Sequence, residues 1–157
     1  MKTAVVYYSN TGNVKGAAKK IAEALGAELV PLEPVKPLKG AGFLSIIKGG
    51  GQVTLGAKPA LKAIPDLSGF DRVILGAPVW AGKCAAPVRT FLSSGALKGK
   101  TVAFFTFSGS GNDEKAVAQI KETGAALVAS AALVDARVPA SSDNEEKLTA
   151  FLEELRN

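Results

Sequence analysis

The apolar residues of this chain fall into two alternating patterns. Short, nearly continuous apolar runs rich in β-branched and aromatic residues predict buried strands. Between them, apolar residues recur three or four positions apart, which is typical of helices. The predicted strands are Thr3–Tyr8, Glu28–Leu32, Arg72–Ala77, Thr101–Phe107 and Leu127–Val134. Because strands and helices alternate, the pattern favours an α/β fold with a parallel sheet and right-handed crossovers.

The first helix has the clearest pattern, and it is predicted to run from about Asn13 to Leu25 and to end before Gly26. Later helices are predicted to start at Pro87, after the capping residues Asn112 and Asp113-Glu114, and at the capping box Ser142-x-x-Glu145. Residues 33–67 are predicted to form an irregular crossover with a helix near residues 43–47.

The composition indicates a single domain spanning residues 1–157. Cys84 is the one cysteine, which excludes an internal disulfide and a multi-cysteine metal site. The chain has no histidine, which excludes imidazole catalysis and histidine-ligated metals. No apolar run is long enough for a membrane-spanning helix and no signal peptide is apparent. We therefore expect a cytoplasmic protein without an integral membrane segment.

The charge is distributed unevenly along the chain. Residues 1–100 carry 14 Lys/Arg against 5 Asp/Glu, whereas residues 101–157 carry 5 against 9. The stretch Pro34–Pro65 contains five lysines and no acid. It is either an ordinary solvated surface or a patch that meets an acidic partner, an anionic substrate or lipid headgroups. Nucleic-acid binding is not expected, because no aromatic residues alternate with these lysines.

The turn after the first strand has the composition of a phosphate site. Amides at a helix N-terminus, assisted by serine and threonine hydroxyls, bind phosphate without a cationic side chain. An ordinary strand–helix turn is the alternative interpretation. The candidate residues, called loop one, are Ser9, Asn10, Thr11, Gly12, Asn13 and Val14.

Two further candidate loops follow the third and fourth predicted strands. The carboxyl ends of parallel strands border a shared crevice in which ligands bind. We therefore expect all three loops to meet there. Loop two consists of Pro78, Val79, Trp80, Ala81 and Gly82, and loop three of Phe107, Ser108, Gly109, Ser110, Gly111 and Asn112.

With Tyr-Ser-Asn-Thr-Gly-Asn-Val, Ala-Pro-Val-Trp-Ala-Gly and Ser-Gly-Ser-Gly-Asn in these three places, the chain resembles the flavodoxin family. The resemblance implies a flavodoxin-like three-layer α/β/α sandwich whose five-stranded parallel sheet has the order 2-1-3-4-5. It also implies FMN as the cofactor. Loop one would then hold the phosphate, and loops two and three would flank the isoalloxazine ring.

Four residues near the expected ring position have two interpretations each. Trp80 is predicted to lie in a loop, where its indole either covers a flavin face or packs against the crossover. Phe107 either covers the other face or turns into the core. Lys83 either places a cation near the ring or faces solvent, and Cys84 is expected to be a small buried residue rather than a redox thiol.

The three loops contain no acid and no activated nucleophile, so no catalytic residue is predicted and the redox chemistry would belong to the cofactor.

The first hypothesis is an electron carrier that docks a redox partner protein, which the chain's pI of about 9.4 suggests to be acidic. The second is an NAD(P)H-dependent quinone reductase that passes electrons to a small acceptor. A phospho-acceptor domain is disfavoured, because strands one and three end without the acidic Mg²⁺ cluster it requires.

Overall fold

The computed structural model describes residues 1–36, 59–135 and 143–157. Its helices and strands are numbered here in chain order. They are β1 (Thr3–Tyr7), α1 (Asn13–Leu25), β2 (Glu28–Pro31), β3 (Arg72–Trp80), β4 (Lys83–Cys84), α2 (Ala86–Ser93), β5 (Thr101–Ser108), α3 (Glu114–Glu122), β6 (Ala126–Val134) and α4 (Asn144–Arg156).

The main strands form a parallel sheet in the order β2-β1-β3-β5-β6. This is the predicted order 2-1-3-4-5, because the short β4 does not belong to the parallel series. β4 was not predicted. It pairs antiparallel with the last two residues of β3, Val79 with Cys84 and Trp80 with Lys83.

Two apolar clusters cover the two faces of the sheet. One cluster joins α1 and α4 to the sheet through residues such as Ile21, Phe105 and Phe151. The other joins α2 and α3 to the opposite face through residues such as Phe91 and Ile120. The central strands are apolar along almost their whole length because both faces are covered. The predicted three-layer α/β/α sandwich is thereby confirmed.

The middle of β3 contains a glycine that the packing requires. A Cβ atom on Gly76 would overlap the aromatic ring of Phe105. That ring packs edge-on against Phe151, with the ring centroids 6.3 Å apart. The phenyl group of β5 therefore fills the space that a side chain on β3 would occupy.

The third strand is longer than the sequence predicted. It was expected to end at Ala77, but it continues to Trp80, so Trp80 is the last residue of a strand and not part of a loop. A tight hairpin causes the extension, because Ala81 (φ 50°) and Gly82 (φ 83°) take the two positive φ angles of a type I′ turn. Among the described residues Ala81 is the one non-glycine residue with a positive φ.

Helix α1 has its predicted bounds. The predicted capping residue Ser142 lies outside the described residues, and the N-cap of α4 is Asp143 instead. The predicted crossover helix at residues 43–47 also lies outside them, as do the lysines of the basic stretch other than Lys36 and Lys62. No helix in the described ranges has the length and hydropathy needed to cross a membrane.

Candidate functional site

A cleft of about 540 Å³ lies where the carboxyl ends of β1, β3, β5 and β6 meet, and all three predicted loops contribute to it. This agrees with the rule for open parallel sheets that places ligands at this edge. Asp135 lines the cleft as well and was not predicted. The predicted residues that line it are Ser9, Asn10, Thr11, Asn13, Val14, Pro78, Val79, Trp80, Ala81, Phe107, Ser108 and Gly109.

The other five predicted residues do not line this cleft. Gly82, Ser110 and Asn112 line a neighbouring cavity of about 350 Å³. Gly12 and Gly111 line neither space, and both are positive-φ residues that shape their loops. The structure therefore separates the predicted set into wall residues, residues of an adjoining cavity and residues that fix the backbone.

Loop one is closed by a serine that accepts a hydrogen bond from a glycine. The Gly12 N–H donates to Ser9 Oγ at 3.1 Å, and Gly12 has a φ of 96°. Helix α1 follows at once. Its first-turn amides at Asn13 and Val14 have no acceptor within the helix, as in any helix, and no described residue accepts from them. Thr11 is exposed, so loop one offers both amide and hydroxyl donors.

Loop three repeats the serine–glycine closure. The Gly111 N–H donates to Ser108 Oγ at 2.8 Å, and Gly111 has a φ of 74°. The following amides also have acceptors within the segment: Asn112 N–H donates to Ser110 Oγ at 3.2 Å, and Glu114 N–H donates to Asn112 Oδ1 at 3.2 Å. Loop three therefore uses its own side chains to satisfy amides that loop one leaves available.

The acidic residue at the start of α3 has a different partner from the one its position suggests. Asp113 is the N-cap residue, but its carboxylate makes no capping hydrogen bond. It accepts instead from the hydroxyl of Thr106, which is fully buried in β5, at 3.0 Å. This contact ties together the residues on either side of loop three.

Asp135 links loop one to loop three. Its backbone N–H donates to the Ser108 carbonyl at 2.7 Å, and its Oδ1 accepts from Asn13 Nδ2 at 3.1 Å. The sequence held one signal for this residue, since Asp135 is the first polar side chain after a strand that ends at the same edge of the sheet. Its contact with Asn13, 122 positions away, depends on the tertiary order of the strands.

Two aromatic side chains contribute to the wall of the cleft. Trp80 is half-buried and meets Tyr8 edge-on, with ring centroids 6.0 Å apart and planes at 87°. Burial raises the pKa of the Tyr8 hydroxyl, which therefore stays neutral. Phe107 is also half-buried; it lines the cleft and packs against the cluster formed with α1 and α4. Phe107 therefore packs partly into the core, and its contact with a flavin face stays a prediction.

The two residues after the hairpin turn lie away from the cleft. Lys83 is exposed and does not line it. Cys84 is fully buried, as predicted, and its N–H donates to Gln119 Oε1 at 2.8 Å. Burial raises the pKa of the Cys84 thiol to about 12, so the thiol is neutral at physiological pH.

Comparison with known proteins places the chain in a family. The family model described as flavodoxin matches residues 2–155, and the chain belongs to the flavodoxin family. Among solved structures, it is similar to candidate flavoproteins from Bacteroides uniformis (27% identity, TM-score 0.77, 97% of each chain covered) and Bacteroides eggerthii (25%, 0.77, 99% of this chain and 98% of the other). It has the same fold as a Lactobacillus acidophilus flavoprotein solved in complex with FMN (24%, 0.67, 93% and 97%).

Proposed function

We propose that this protein binds FMN non-covalently in the cleft between loops one, two and three and carries electrons through it. One observation carries the proposal: a single cleft of about 540 Å³ contains uncharged donors on one wall and an indole on another. That volume is within the range of roughly 300–1,000 Å³ that is common for ligand pockets. FMN needs both features, since it joins a phosphate to an aromatic ring system.

At the phosphate end, the donor chemistry of loop one suits a dianion. The Thr11 hydroxyl and the first-turn amides at Asn13 and Val14 would supply charge-assisted hydrogen bonds, strengthened by the dipole of α1. None of the described residues that line the cleft is Lys or Arg, so neutral groups would bind the phosphate there. Asp135, an acceptor in the same cleft, suits the hydroxyls of the sugar-alcohol chain.

At the ring end, Trp80 and Phe107 offer aromatic surface and Val79 offers aliphatic surface. Burial of a ring system against an indole is favourable through both area and stacking. Bound FMN would supply the redox chemistry, because it accepts and releases electrons. The protein would exclude water from the ring and set its electrostatic surroundings.

The cofactor is the best supported part of the proposal. Family membership and the FMN complex of the Lactobacillus acidophilus protein both support FMN, in agreement with the prediction from the sequence. The match over residues 2–155 supports one domain, which stays a prediction, as does a cytoplasmic location.

The two functional hypotheses differ in the molecule with which the bound FMN would exchange electrons. As an electron carrier, the protein would exchange electrons with a redox partner protein, of acidic character if the basic pI guides recognition. As an NAD(P)H-dependent quinone reductase, it would pass electrons to a small acceptor without a second protein.

Two measurements test the proposal in sequence. Purified protein is stripped of ligand and titrated with FMN by calorimetry and by visible absorption; a one-to-one complex with perturbed flavin bands is expected, and absence of binding would refute the proposal. The FMN complex is then mixed with NAD(P)H and a quinone. No steady-state NAD(P)H oxidation is expected of a carrier, whereas rapid turnover without added reductase would identify the reductase.

A further inference from the structure

A second cavity lies on the other side of the residues that form the expected ring end of the cleft. This hairpin cavity, of about 350 Å³, shares four wall residues with the cleft. Its remaining lining comes from the hairpin turn, loop three and the first turn of α3. The shared residues are Val79, Ala81, Ser108 and Gly109, and the others are Gly82, Ser110, Asn112, Glu114 and Lys115. The two spaces therefore adjoin each other at these four residues.

One lysine lines the hairpin cavity and a second lies on the adjoining hairpin. The Cδ atom of Lys115 lies 3.5 Å from the position that a Cβ atom on Gly82 would occupy, so the aliphatic stem of Lys115 packs on the hairpin turn. Lys83 is the next residue of the same hairpin. Both lysines are exposed, and neither forms an ion pair with any residue in the described ranges. Glu114 lines the same cavity and offsets one of the two charges.

We propose that the hairpin cavity is the place where a small anionic electron acceptor meets the flavin, and that Lys115 and Lys83 attract it. This inference rests on the proposed function, because it needs a flavin in the adjoining cleft. Lys115 and Lys83 together outnumber Glu114 by one positive charge, and a net positive charge beside a cavity raises the local concentration of anions and therefore their rate of association. The cavity volume of about 350 Å³ lies in the range that is common for small-molecule pockets, roughly 300–1,000 Å³.

The test uses the FMN-loaded protein, reduced anaerobically and mixed with a one-electron oxidant in a stopped-flow spectrometer. Ferricyanide is the anionic probe, and tris(phenanthroline)cobalt(III) is the cationic probe. Two ferricyanide ions take the two electrons of one FMN hydroquinone and become two ferrocyanide ions, and the two protons pass to solvent. The rate is followed as oxidised flavin absorption returns, at low and at high ionic strength.

The variant K83Q/K115Q removes both lysine charges beside the cavity. The matched control, K98Q/K121Q, removes the same charge from two other exposed residues, Lys98 before β5 and Lys121 in the last turn of α3. The Lys98 stem lies near Gly124, whose N–H donates to the Lys121 carbonyl. At low ionic strength, K83Q/K115Q is expected to slow flavin reoxidation by ferricyanide roughly three- to tenfold and to speed reoxidation by the cationic probe. The control variant is expected to change neither rate by more than about twofold.

Each outcome bears on one proposal only. If the protein binds no FMN, the proposed function fails before this test is reached. If FMN binds and is reoxidised but K83Q/K115Q and the control give equal rates with both probes, the anionic entry route is refuted and the flavin assignment stands. Equal slowing of both probes would also refute it, because lost attraction must act oppositely on opposite charges. The effect must shrink at high ionic strength, where the attraction is screened.

Discussion

Loops one and three share the same closure and differ in the hydrogen bonds that surround it. In each, a serine at the end of a strand or just beyond it accepts from the N–H of a positive-φ glycine, Ser9 from Gly12 and Ser108 from Gly111. Beyond the glycine, the amides of loop three donate to its own side chains. The corresponding amides of loop one have no acceptor among the described residues.

The difference shows how one backbone turn serves two purposes. A segment whose amides are already satisfied is a preformed wall, and little can be gained there by an added acceptor. A segment with open amides at a helix N-terminus gains strongly when an anion arrives. We therefore assign the phosphate to loop one and a wall role to loop three. Three predictions examine that distinction, and a fourth examines the ring end of the cleft.

The largest effect is expected at the matched hydroxyls Thr11 and Ser110, which precede the two glycines. Thr11→Ala should weaken FMN binding by about 1–3 kcal/mol through a lost hydrogen bond to a charged group. Ser110→Ala should change FMN binding by less than about 0.5 kcal/mol, because the Ser110 hydroxyl oxygen already accepts from Asn112.

Calorimetric titration with FMN, and with riboflavin as the control ligand, measures the change in binding free energy for Thr11→Ala and Ser110→Ala. Since riboflavin has no phosphate, its affinity should be the same in the wild type and in Thr11→Ala. Equal losses of FMN affinity in the two variants would show that the loops are not specialised as described.

The glycines are expected to differ in stability. An alanine at positive φ is strained at either position, by about 1–2 kcal/mol. At Gly111 the new Cβ would also lie 3.2 Å from Val134 Cγ2, whereas at Gly12 no atom lies within 4 Å. Gly111→Ala should therefore lower the free energy of unfolding by about 2 kcal/mol and Gly12→Ala by about 1 kcal/mol. Urea unfolding of the ligand-free protein measures both, and a greater loss at Gly12 would contradict the packing difference.

Trp80 tests the ring end, away from the phosphate. Trp80→Ala should weaken FMN and riboflavin equally, by about 1.5 kcal/mol, because it removes stacking surface that both ligands use. Flavin fluorescence, which a stacked indole quenches, should rise in the variant. Unchanged affinity and fluorescence would remove Trp80 from the ring contact, and loss confined to FMN would place it near the phosphate instead.

The smallest difference is expected between the two closing serines. Ser108 is buried and its hydrogen bond is 2.8 Å long, whereas Ser9 is half-buried and its bond is 3.1 Å long. Ser108→Ala leaves the part-buried Gly111 N–H without an acceptor and should lower the unfolding free energy by about 1 kcal/mol more than Ser9→Ala does. Thermal and urea unfolding of the two ligand-free variants give this difference; its reversal would show that the closure matters more in loop one.

Most of the fold could be predicted because local signals were strong. The apolar run of β1 and the helical stripe of α1 marked their elements directly, and Gly26 marked the helix end. The extension of β3 to Trp80 could not be predicted, since it depends on a hairpin in which Ala81 takes a positive φ that alanine disfavours.

The site residues in loops that directly follow strands could be predicted from the sequence. The contacts that depend on tertiary packing could not. Asp135 follows the last strand without a glycine-rich motif, and only the folded sheet brings it to Asn13. Asp113 has the sequence position of a capping residue, yet buried Thr106 is its partner. Neither contact is indicated by a repeating pattern in the sequence.

The fit of Phe105 over Gly76 has a consequence for how this sequence can diverge. The two positions share one volume, so a larger residue at 76 is tolerated only after the ring at 105 has been replaced by something smaller. Their substitutions must therefore occur in a fixed historical order, with the loss of the phenyl group first and a buried cavity as the intermediate.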